Sequence, residues 1–379
     1  MRTGLMDMAI NPRVTPDLLL ANSKVLAAAA GADSLWVPDH LLGVFPAAIW
    51  SPRYVGASRL ARRADAYYEP WTTLGYLAGR NRLSRLRLGV GVTDCGRRNP
   101  AVTAQAAATL HLMTRGRAIL GIGPGEREGN EPYGVDWNKP VARFEEAMAT
   151  IRTLWDSGGR PVSRDSAFFP LRDAVFDLPP HRGTRPEIWV GAHGPRMLRA
   201  AGRYADAWFP AYPQRPKDYG AKLEQVRAAA SDAGRDPDSI MPAGWFAVFP
   251  ARSRAEADDM MGTVGARALG LCVPAEVWAR HGAEHPLGPD FSGMQDLLPQ
   301  TLDEETIMAF VERVPEAVLR ESSLTGTPAD ILDQLVDWRD HGLAYAVLAN
   351  LGALCHRSLS KGMLAAAPLF RVLRGLRRL

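Results

Sequence analysis

The order of apolar and polar segments along the chain predicts an α/β fold, specifically a (β/α)8 TIM barrel. Eight short apolar runs alternate with segments of helical periodicity, whereas a doubly wound parallel sheet usually has about five or six strands. Two of these runs, Ser34–Val37 and Ala118–Ile122, end close to polar or acidic residues, which is typical of buried parallel strands that open onto a site. A length of 379 residues suffices for one such barrel with an insertion.

The first half of the chain contains four strand-like runs, each followed by a helix. Thr15 is a candidate N-cap of the first helix and Gly31 a candidate terminator. Asn99 is placed to cap the third helix, whose first turn begins with Pro100. The strands are predicted at Thr3–Ile10, Ser34–Val37, Leu86–Val92 and Ala118–Ile122. The helices are predicted at Pro16–Ala30, Glu69–Arg80, Pro100–Thr114 and Pro140–Trp155.

The second half repeats this alternation with one interruption. The strands are predicted at Glu187–Gly191, Asp206–Phe209, Ile240–Phe249 and Tyr345–Leu348. The helices are predicted from Gly194-Pro195 onward and at Lys217–Ala233, Thr327–His341 and Leu359–Leu379. The segment Ala255–Leu324 is longer than one crossover helix. We therefore expect a single domain of residues 1–379 with an insertion at about 255–324, near the seventh strand.

The final predicted helix alternates apolar residues with basic ones. The basic residues are Lys361, Arg371, Arg374, Arg377 and Arg378. This pattern favours a helix that packs on the barrel and keeps a basic outer face. The alternative is an amphipathic helix that makes peripheral contact with membrane lipid.

Composition and charge exclude several classes of protein. Hydrophobic residues make up 46% of the chain and charged residues 23%, as in ordinary globular proteins, and a net charge of +4 gives no argument for a nucleic-acid partner. The N-terminus lacks the apolar core of a signal peptide, and no apolar run is long enough to span a membrane. Three widely spaced cysteines suggest neither a disulfide framework nor a metal site, so we expect buried, inert thiols in a cytoplasmic protein. They are Cys95, Cys272 and Cys355.

Three polar residues at strand ends are candidates for catalysis. Asp39 and His40 follow the second strand, and Glu126 follows the glycine-rich end of the fourth. In a parallel barrel the catalytic groups come from such strand ends. An Asp-His pair serves acid–base catalysis, metal binding or a structural hydrogen bond, and Glu126 is otherwise a solvated turn residue. Among the other histidines only His193 lies at a strand end, so we expect no metal site.

Two further segments suggest contacts with a cofactor. The glycines of Gly121–Glu126 have neither the spacing of a dinucleotide fingerprint nor the Lys-Ser/Thr of a P-loop, and they favour close approach of the backbone to a flat ring. A strand also runs through Ala192-His193-Gly194-Pro195 into a helix, whose first N–H groups suit a phosphate. The alternative there is a plain strand-to-helix turn. Arg97 and Arg98 either hold the anionic tail of a cofactor or are solvated.

Five motifs together resemble the luciferase-like superfamily, in particular the branch that uses the deazaflavin coenzyme F420. They are Trp36–His40, Arg98–Gln105, Gly116-Arg117, Gly121–Glu126 and Ala192–Pro195. Their order and spacing match that superfamily over roughly the first half of the chain, and the Asp-His pair favours the F420 branch over the FMN monooxygenases. Longer stretches, including Trp278–Gln300, are similar to a group of mycobacterial ketoreductases that act on phthiodiolone-type dimycocerosate lipids.

The resemblance implies a barrel that binds reduced F420 with the deazaflavin ring in its mouth and reduces the ketone of a long-chain keto-lipid. Asp39 would contact the ring, and His40 and Glu126 would be the acid–base residues, with His40 the favoured proton donor. A non-proline cis peptide followed by a bulge is implied at Gly91-Val92 and Thr93-Asp94. The other cofactor contacts implied are Pro124, Gly125, Asn130, Ala192, His193, Gly194 and Pro195.

One departure from the resemblance bears on the substrate. Val44 stands where the sugar-phosphate dehydrogenases of the same branch carry a tryptophan, which fits an apolar substrate. The loop Leu41–Tyr68 and the insertion are then expected to form a channel for acyl chains. The resemblance alone also implies a homodimer. Two other functions stay open, an FMN-dependent luciferase-like monooxygenase and a non-catalytic lipid-binding barrel.

Overall fold

Eight parallel strands close into a barrel, which confirms the predicted fold class. The computed structural model describes residues 1–211, 215–355 and 366–379. The strands are β1 (Arg2–Met6), β2 (Ser34–Val37), β3 (Arg87–Asp94), β4 (Ala118–Gly123), β5 (Val162–Arg164), β6 (Leu171–Ala174), β7 (Glu187–Val190), β8 (Ala207–Trp208), β9 (Met241–Pro250), β10 (Leu324–Gly326) and β11 (Tyr345–Asn350). The barrel order is β1-β2-β3-β4-β7-β8-β9-β11, and β11 returns to β1. Outside the barrel, β10 pairs with β9, and β5 forms an antiparallel hairpin with β6.

Helices surround the outer wall of the barrel, and those of the insertion after β9 stand over one of its ends. They are α1 (Leu18–Ala30), α2 (Pro70–Arg80), α3 (Pro100–Met113), α4 (Pro140–Asp156), α5 (Pro195–Tyr204), α6 (Pro216–Asp232), α7 (Arg254–Met261), α8 (Val264–Gly270), α9 (Ala275–Arg280), α10 (Glu304–Glu312), α11 (Glu316–Ser322), α12 (Pro328–Asp340), α13 (Gly352–Cys355) and α14 (Ala366–Leu376). Short 3-10 helices lie at Ala47–Ile49, Gly56–Arg59, Glu131–Tyr133, Pro237–Ser239, Met294–Asp296 and Pro299–Thr301.

Local signals in the sequence correctly predict where several helices begin or end. Gly31 terminates α1 with a φ of 75°, and the side chain of Asn99 accepts a hydrogen bond from the Ala101 N–H at the start of α3. Thr15 does not cap α1, because the helix starts later and Asp17 occupies the N-cap position. The first strand ends at Met6 rather than at Ile10, since the Asp7 carboxylate accepts the N–H of Ala9 and turns the chain. The β5–β6 hairpin was not predicted.

The C-terminal helix packs on the barrel, as its pattern favoured. Its apolar side chains Leu369, Val372, Leu373 and Leu376 are buried in the main core, and its four described arginines are exposed. Residues 359–365 of the predicted helix lie outside the described residues. In the described part of the chain, no helix combines the length and apolarity that crossing a bilayer needs. The three cysteines are buried and unpaired, as expected.

The loop after β2 and the insertion after β9 share one apolar cluster. Phe45, Ile49 and Val55 of the loop belong to the same buried cluster as Met261 and Trp278 of the insertion. Both segments leave the carboxyl ends of barrel strands, so they stand over the same mouth of the barrel. The insertion carries α7 to α11 and returns to the barrel wall through β10.

Large aromatic side chains fill the barrel interior. Trp36 is fully buried, and its ring centroid lies 5.0 Å from those of both Trp189 and Phe209. The Trp36 Nε1–H donates to Ser34 Oγ at 2.6 Å, which satisfies its one polar atom. The indole fits because Gly89 faces it, and a Cβ at position 89 would lie 2.4 Å from Trp36 Cε3.

Replacing Gly89 by alanine is expected to destabilise the protein by about 1–3 kcal/mol, since the enclosed Trp36 ring has no room to move. The matched control is Gly79→Ala in α2, where an added Cβ meets nothing within 4 Å. This control should be neutral or stabilising by about 0.5–1 kcal/mol. Urea denaturation measures both changes, and equal stabilities for the two variants would contradict the packing argument.

Candidate active site

A buried carboxylate, that of Asp39, organises the end of β2. Its Oδ2 accepts hydrogen bonds from Thr93 Oγ1 at 2.6 Å and from Arg98 Nε at 3.2 Å. Its Oδ1 accepts a bond from Arg98 Nη2 at 3.2 Å and lies 3.4 Å from Arg97 Nη2. Burial alone would raise the pKa of Asp39, but the two arginines and Thr93 hold the pKa below its usual value. Asp39 is therefore an ionised structural carboxylate.

A second buried carboxylate, Asp94 at the end of β3, extends this network to the loop after β4. Arg97 donates from Nε to Asp94 Oδ2 at 2.5 Å and from Nη2 to the carbonyl oxygen of Asp39 at 2.7 Å. Asn130, which is fully buried, donates from Nδ2 to Asp94 Oδ2 at 3.1 Å and to the Glu126 carbonyl oxygen at 2.8 Å. Together these bonds fix the backbone at Glu126 relative to the ends of β2 and β3.

The backbone of β3 shows the irregularity that the resemblance implied. The peptide bond between Gly91 and Val92 is cis, and the register with β4 shifts between Val90 and Thr93. A Cβ on Gly121 would lie 2.0 Å from the Val90 carbonyl oxygen. Gly125, with a φ of 94°, would place a Cβ 2.9 Å from that of Asp94. Contacts with β3 therefore account for these two glycines, in addition to any approach by a ring.

Three titratable side chains meet at the mouth of the barrel. Two of them, His40 and Glu126, were expected from the sequence, and the third, Glu128, was not. His40 Nδ1 lies 3.2 Å from Glu128 Oε1 and 3.6 Å from Glu126 Oε2. The side chains of His40 and Glu126 are 18% and 24% exposed, whereas that of Glu128 is 1% exposed. His40 and Glu126 can thus touch a bound molecule, and Glu128 supports them from behind.

Both glutamates have a raised pKa. Burial raises the pKa of Glu126 well above its usual range, and the negative charge of Glu128 adds to this effect. Burial also raises the pKa of Glu128 to about 7. The same mouth therefore contains one carboxylate whose pKa is lowered, Asp39, and a pair of carboxyl groups whose pKa values are raised. Groups whose pKa values are separated in this way are suited to acid–base chemistry.

The start of α5 is open to an anion. Gly194 is its N-cap, no side chain caps it, and the N–H groups of Arg196 and Met197 lack intrahelical partners. An added Cβ on Gly194 would meet nothing within 4 Å. The N–H of Gly191 donates to the Ile122 carbonyl oxygen at 3.1 Å, so this turn lies beside the end of β4. The turn can bind a phosphate next to the cluster of titratable groups.

A family model described as luciferase-like monooxygenase matches residues 20–345. The chain belongs to the luciferase-like family. This membership confirms the family resemblance seen in the sequence. One curated relative is the phthiodiolone/phenolphthiodiolone dimycocerosates ketoreductase of Mycobacterium tuberculosis (strain ATCC 25618 / H37Rv). It is 57% identical to this chain over 380 residues, which cover 100% of this chain and 99% of the relative.

Solved structures show that the fold is shared more widely. An F420-dependent secondary alcohol dehydrogenase in complex with an F420-acetone adduct superposes with a TM-score of 0.73 at 19% identity, covering 98% of both chains. The coenzyme F420-dependent tetrahydromethanopterin reductase from Methanopyrus kandleri superposes with a TM-score of 0.68 at 18% identity, covering 95% of this chain and 99% of that one.

The structure divides the expected site residues into three sets. His40 and Glu126 lie at the mouth beside Glu128. The residues of the network behind them are buried; they are Asp39, Thr93, Asp94 and Asn130. The residues of the α5 turn, His193, Gly194 and Pro195, are exposed, and the Ala192 carbonyl oxygen accepts a bond from Trp208 Nε1 at 2.9 Å.

Sequence reasoning missed Glu128 and left Arg97 and Arg98 between two roles, solvation and the holding of an anionic tail. A Glu-x-Glu pair after a glycine turn is usually solvated, so only its place after a strand end could have indicated Glu128. Arg97 pairs with the buried Asp39 and Asp94, and Arg98 pairs with Asp39 and with Glu69, so neither is simply solvated. That they hold an anionic tail stays a prediction.

Stability is expected to fall as pH rises, because Glu128 binds its proton more tightly in the folded protein. The stabilisation is fully present below the unfolded pKa, near 4.5, and is lost as pH rises through the folded pKa of about 7. Glu128→Gln should therefore be more stable than the parent by about 1–3 kcal/mol near pH 8 and show a flatter pH profile.

Urea denaturation at acidic and alkaline pH measures this difference. The control is the exposed Glu312→Gln in α10, which should leave the profile unchanged. An unaltered pH profile in the Glu128 variant would contradict the assignment of a raised pKa.

Proposed function

We propose that this chain is a coenzyme F420-dependent ketoreductase that reduces the keto group of phthiodiolone/phenolphthiodiolone dimycocerosate-type lipids to the alcohol. The observation that carries the proposal is the cluster of His40, Glu126 and Glu128 at the barrel mouth, in a chain 57% identical to a ketoreductase over its full length. Reduction of a ketone needs a proton donor at the carbonyl oxygen. The cluster supplies such a donor.

The residues around the mouth fit F420. The uncapped start of α5 can take its phosphate, and the open space at Gly194 lets the backbone N–H groups approach it. The ring would lie against Gly91, Val92, Pro124 and Gly125, with Asp39, Asp94 and Asn130 fixing that backbone from behind. Reduced F420, when bound, supplies the hydride that the carbonyl carbon accepts.

We propose His40 as the proton donor. Its ring is partly exposed, its Nδ1 faces the buried Glu128, and Nε2 is left to approach a carbonyl oxygen. Glu128, with a pKa of about 7, can return a proton to the ring after each turnover. Glu126 is the alternative donor, because its side chain is also partly exposed and burial raises its pKa well above the usual range.

The substrate end of the proposal rests on the apolar cluster over the mouth. Phe45 and Ile49 of the loop belong to one buried cluster with Met261 and Trp278 of the insertion. Val44 is a small apolar residue where the sugar-phosphate dehydrogenases of the F420 branch carry a tryptophan. Acyl chains of a long-chain keto-lipid would lie between the loop and the insertion. An enclosed apolar path of this kind also keeps water away from the proton donor.

The cluster also has the spacing of a cation site. The ligand atoms of His40, Glu126 and Glu128 all lie within 4.8 Å of one another. We propose that it acts as an acid, as expected from the sequence, because the raised pKa values keep a proton in the place where a cation would bind. The homodimer, the single-domain organisation with its insertion and the peripheral membrane contact also stay proposals.

The function is tested by cofactor titration and turnover. We expect tight binding of F420 and weak binding of FMN by fluorescence, and oxidation of reduced F420 only when the keto-lipid is present, followed by the return of the F420 absorbance band. EDTA should leave the rate unchanged. Tight FMN binding with weak F420 binding would support the monooxygenase instead. Lipid binding without turnover would support a lipid-binding barrel.

His40→Ala is expected to lower the turnover rate by about 10²–10⁴-fold while F420 binds as before, since the ring donates a proton and does not hold the cofactor. His341→Ala at the end of α12 is the matched control and should keep full activity. Glu126→Gln is measured beside it. If His40→Ala keeps the parental rate and Glu126→Gln loses it, Glu126 is the donor.

A further inference from the structure

A second concave site lies at the opposite end of the barrel. It is a pocket of about 300 Å³ formed by the segments that precede β3, β4 and β7. Five of its ten lining residues are arginines, and none is a carboxylate. The arginines are Arg82, Arg85, Arg115, Arg117 and Arg182. The same three strands carry the candidate active site at their other ends, so the two sites are separate.

The arginines of this pocket lack counter-charges. Among the described residues, no ion pair involves any of the five, and only Arg117 makes a side-chain hydrogen bond, from Nη1 to the Thr114 carbonyl oxygen at 3.4 Å. Burial, together with the nearby Arg85 and Arg115, lowers the pKa of Arg117. Some exposed arginines elsewhere in the chain do pair with carboxylates, as Arg252 does with Glu256. Five like charges around one hollow repel each other unless an anion enters it.

The backbone holds three of these arginines in an unfavourable conformation. Arg85, Arg115 and Arg182 have φ values of 53°, 56° and 52°, a region that favours glycine or asparagine and is uncommon for arginine. Arg182 precedes Gly183 in a two-residue turn, a position where asparagine is usual. No local hydrogen bond by these side chains explains the preference for arginine.

Buried polar residues fix the segments that present the arginines. Asn81 bonds the Leu86 backbone through both ends of its amide, at 2.6 and 3.1 Å. Thr114 Oγ1 donates to the Leu110 carbonyl oxygen and accepts the N–H of Arg117. The guanidinium groups are thus carried on segments whose geometry is set before any ligand arrives.

We propose that this pocket binds a phosphate-bearing anion. Planar guanidinium groups form paired, charge-assisted hydrogen bonds with phosphate oxygens, and a pocket lined by five of them without an acid suits two adjacent phosphate groups. The phosphate comes either from a free anion or from a lipid headgroup. Met113 in the lining and Leu83 beside it are 63% and 97% exposed, and they would meet the lipid in the second case.

The test compares two probes on the full-length protein. Inorganic pyrophosphate is titrated by calorimetry, and phosphatidylcholine vesicles with and without phosphatidic acid are tested by co-sedimentation. The pocket variant is Arg115→Asn combined with Arg182→Asn. Asparagine adopts a positive φ more readily than arginine, so this variant should fold with a Tm at least equal to the parent. The control is Arg160→Asn combined with Arg199→Asn, which removes the same charge from exposed positions outside the pocket.

The pocket variant should bind at least tenfold more weakly, and the control within about twofold of the parent. Pyrophosphate binding that shows this pattern identifies a free anion, and binding only to vesicles with phosphatidic acid identifies a headgroup. Absence of binding to both probes, or equal weakening in the control, overturns the proposal. Anion binding that survives in the pocket variant belongs to another site, such as the start of α5, and overturns it as well.

Discussion

A single guanidinium group, that of Arg97, holds the ends of two strands and the following loop in one arrangement. It bonds Asp94 at the end of β3 and the backbone of Asp39 after β2, and Asp94 in turn holds Asn130 of the β4 loop. His40 and Glu126 are the residues next to these fixed points. Their separation of 3.6 Å is therefore set by buried ion pairs and not by their own contact. In the proposed mechanism, the position of the proton donor therefore depends on buried charges that lie behind it.

The same network explains why neighbouring carboxyl groups differ in charge. Two arginines face Asp39, and their charge outweighs the effect of burial on its pKa. Glu126 and Glu128 face each other and His40. Burial raises the pKa values of both, and the negative charge of Glu128 raises that of Glu126 further, whereas the hydrogen bond with Glu126 lowers that of Glu128. The same mouth can thus hold a carboxylate that stays ionised, Asp39, beside two carboxyl groups, Glu126 and Glu128, that are suited to exchange a proton. The carboxyl groups differ in pKa because Arg97 and Arg98 lie against Asp39.

Much of the fold and part of the site could be predicted because they depend on local sequence. Ser34–Val37 is a strand as predicted, and Gly31 and Asn99 end and begin helices through their own backbone or side-chain chemistry. Glu128 could not be recognised, because its burial arises only when the loop after β4 folds against the insertion, where the N–H of Arg127 bonds the Gln295 carbonyl oxygen. The arginine pocket has the same origin, since its members lie in three separate segments that only the closed barrel brings together.

The shared apolar cluster of the β2 loop and the insertion has a consequence for how specificity can change. Phe45 and Ile49 share a buried apolar cluster with side chains of a segment some two hundred residues away along the chain. If the insertion alone were exchanged with that of a homologue, these side chains would pack against a surface whose shape does not match theirs. A graft that alters substrate preference must therefore transfer both segments as one module, and natural divergence in substrate should appear as paired change in the two.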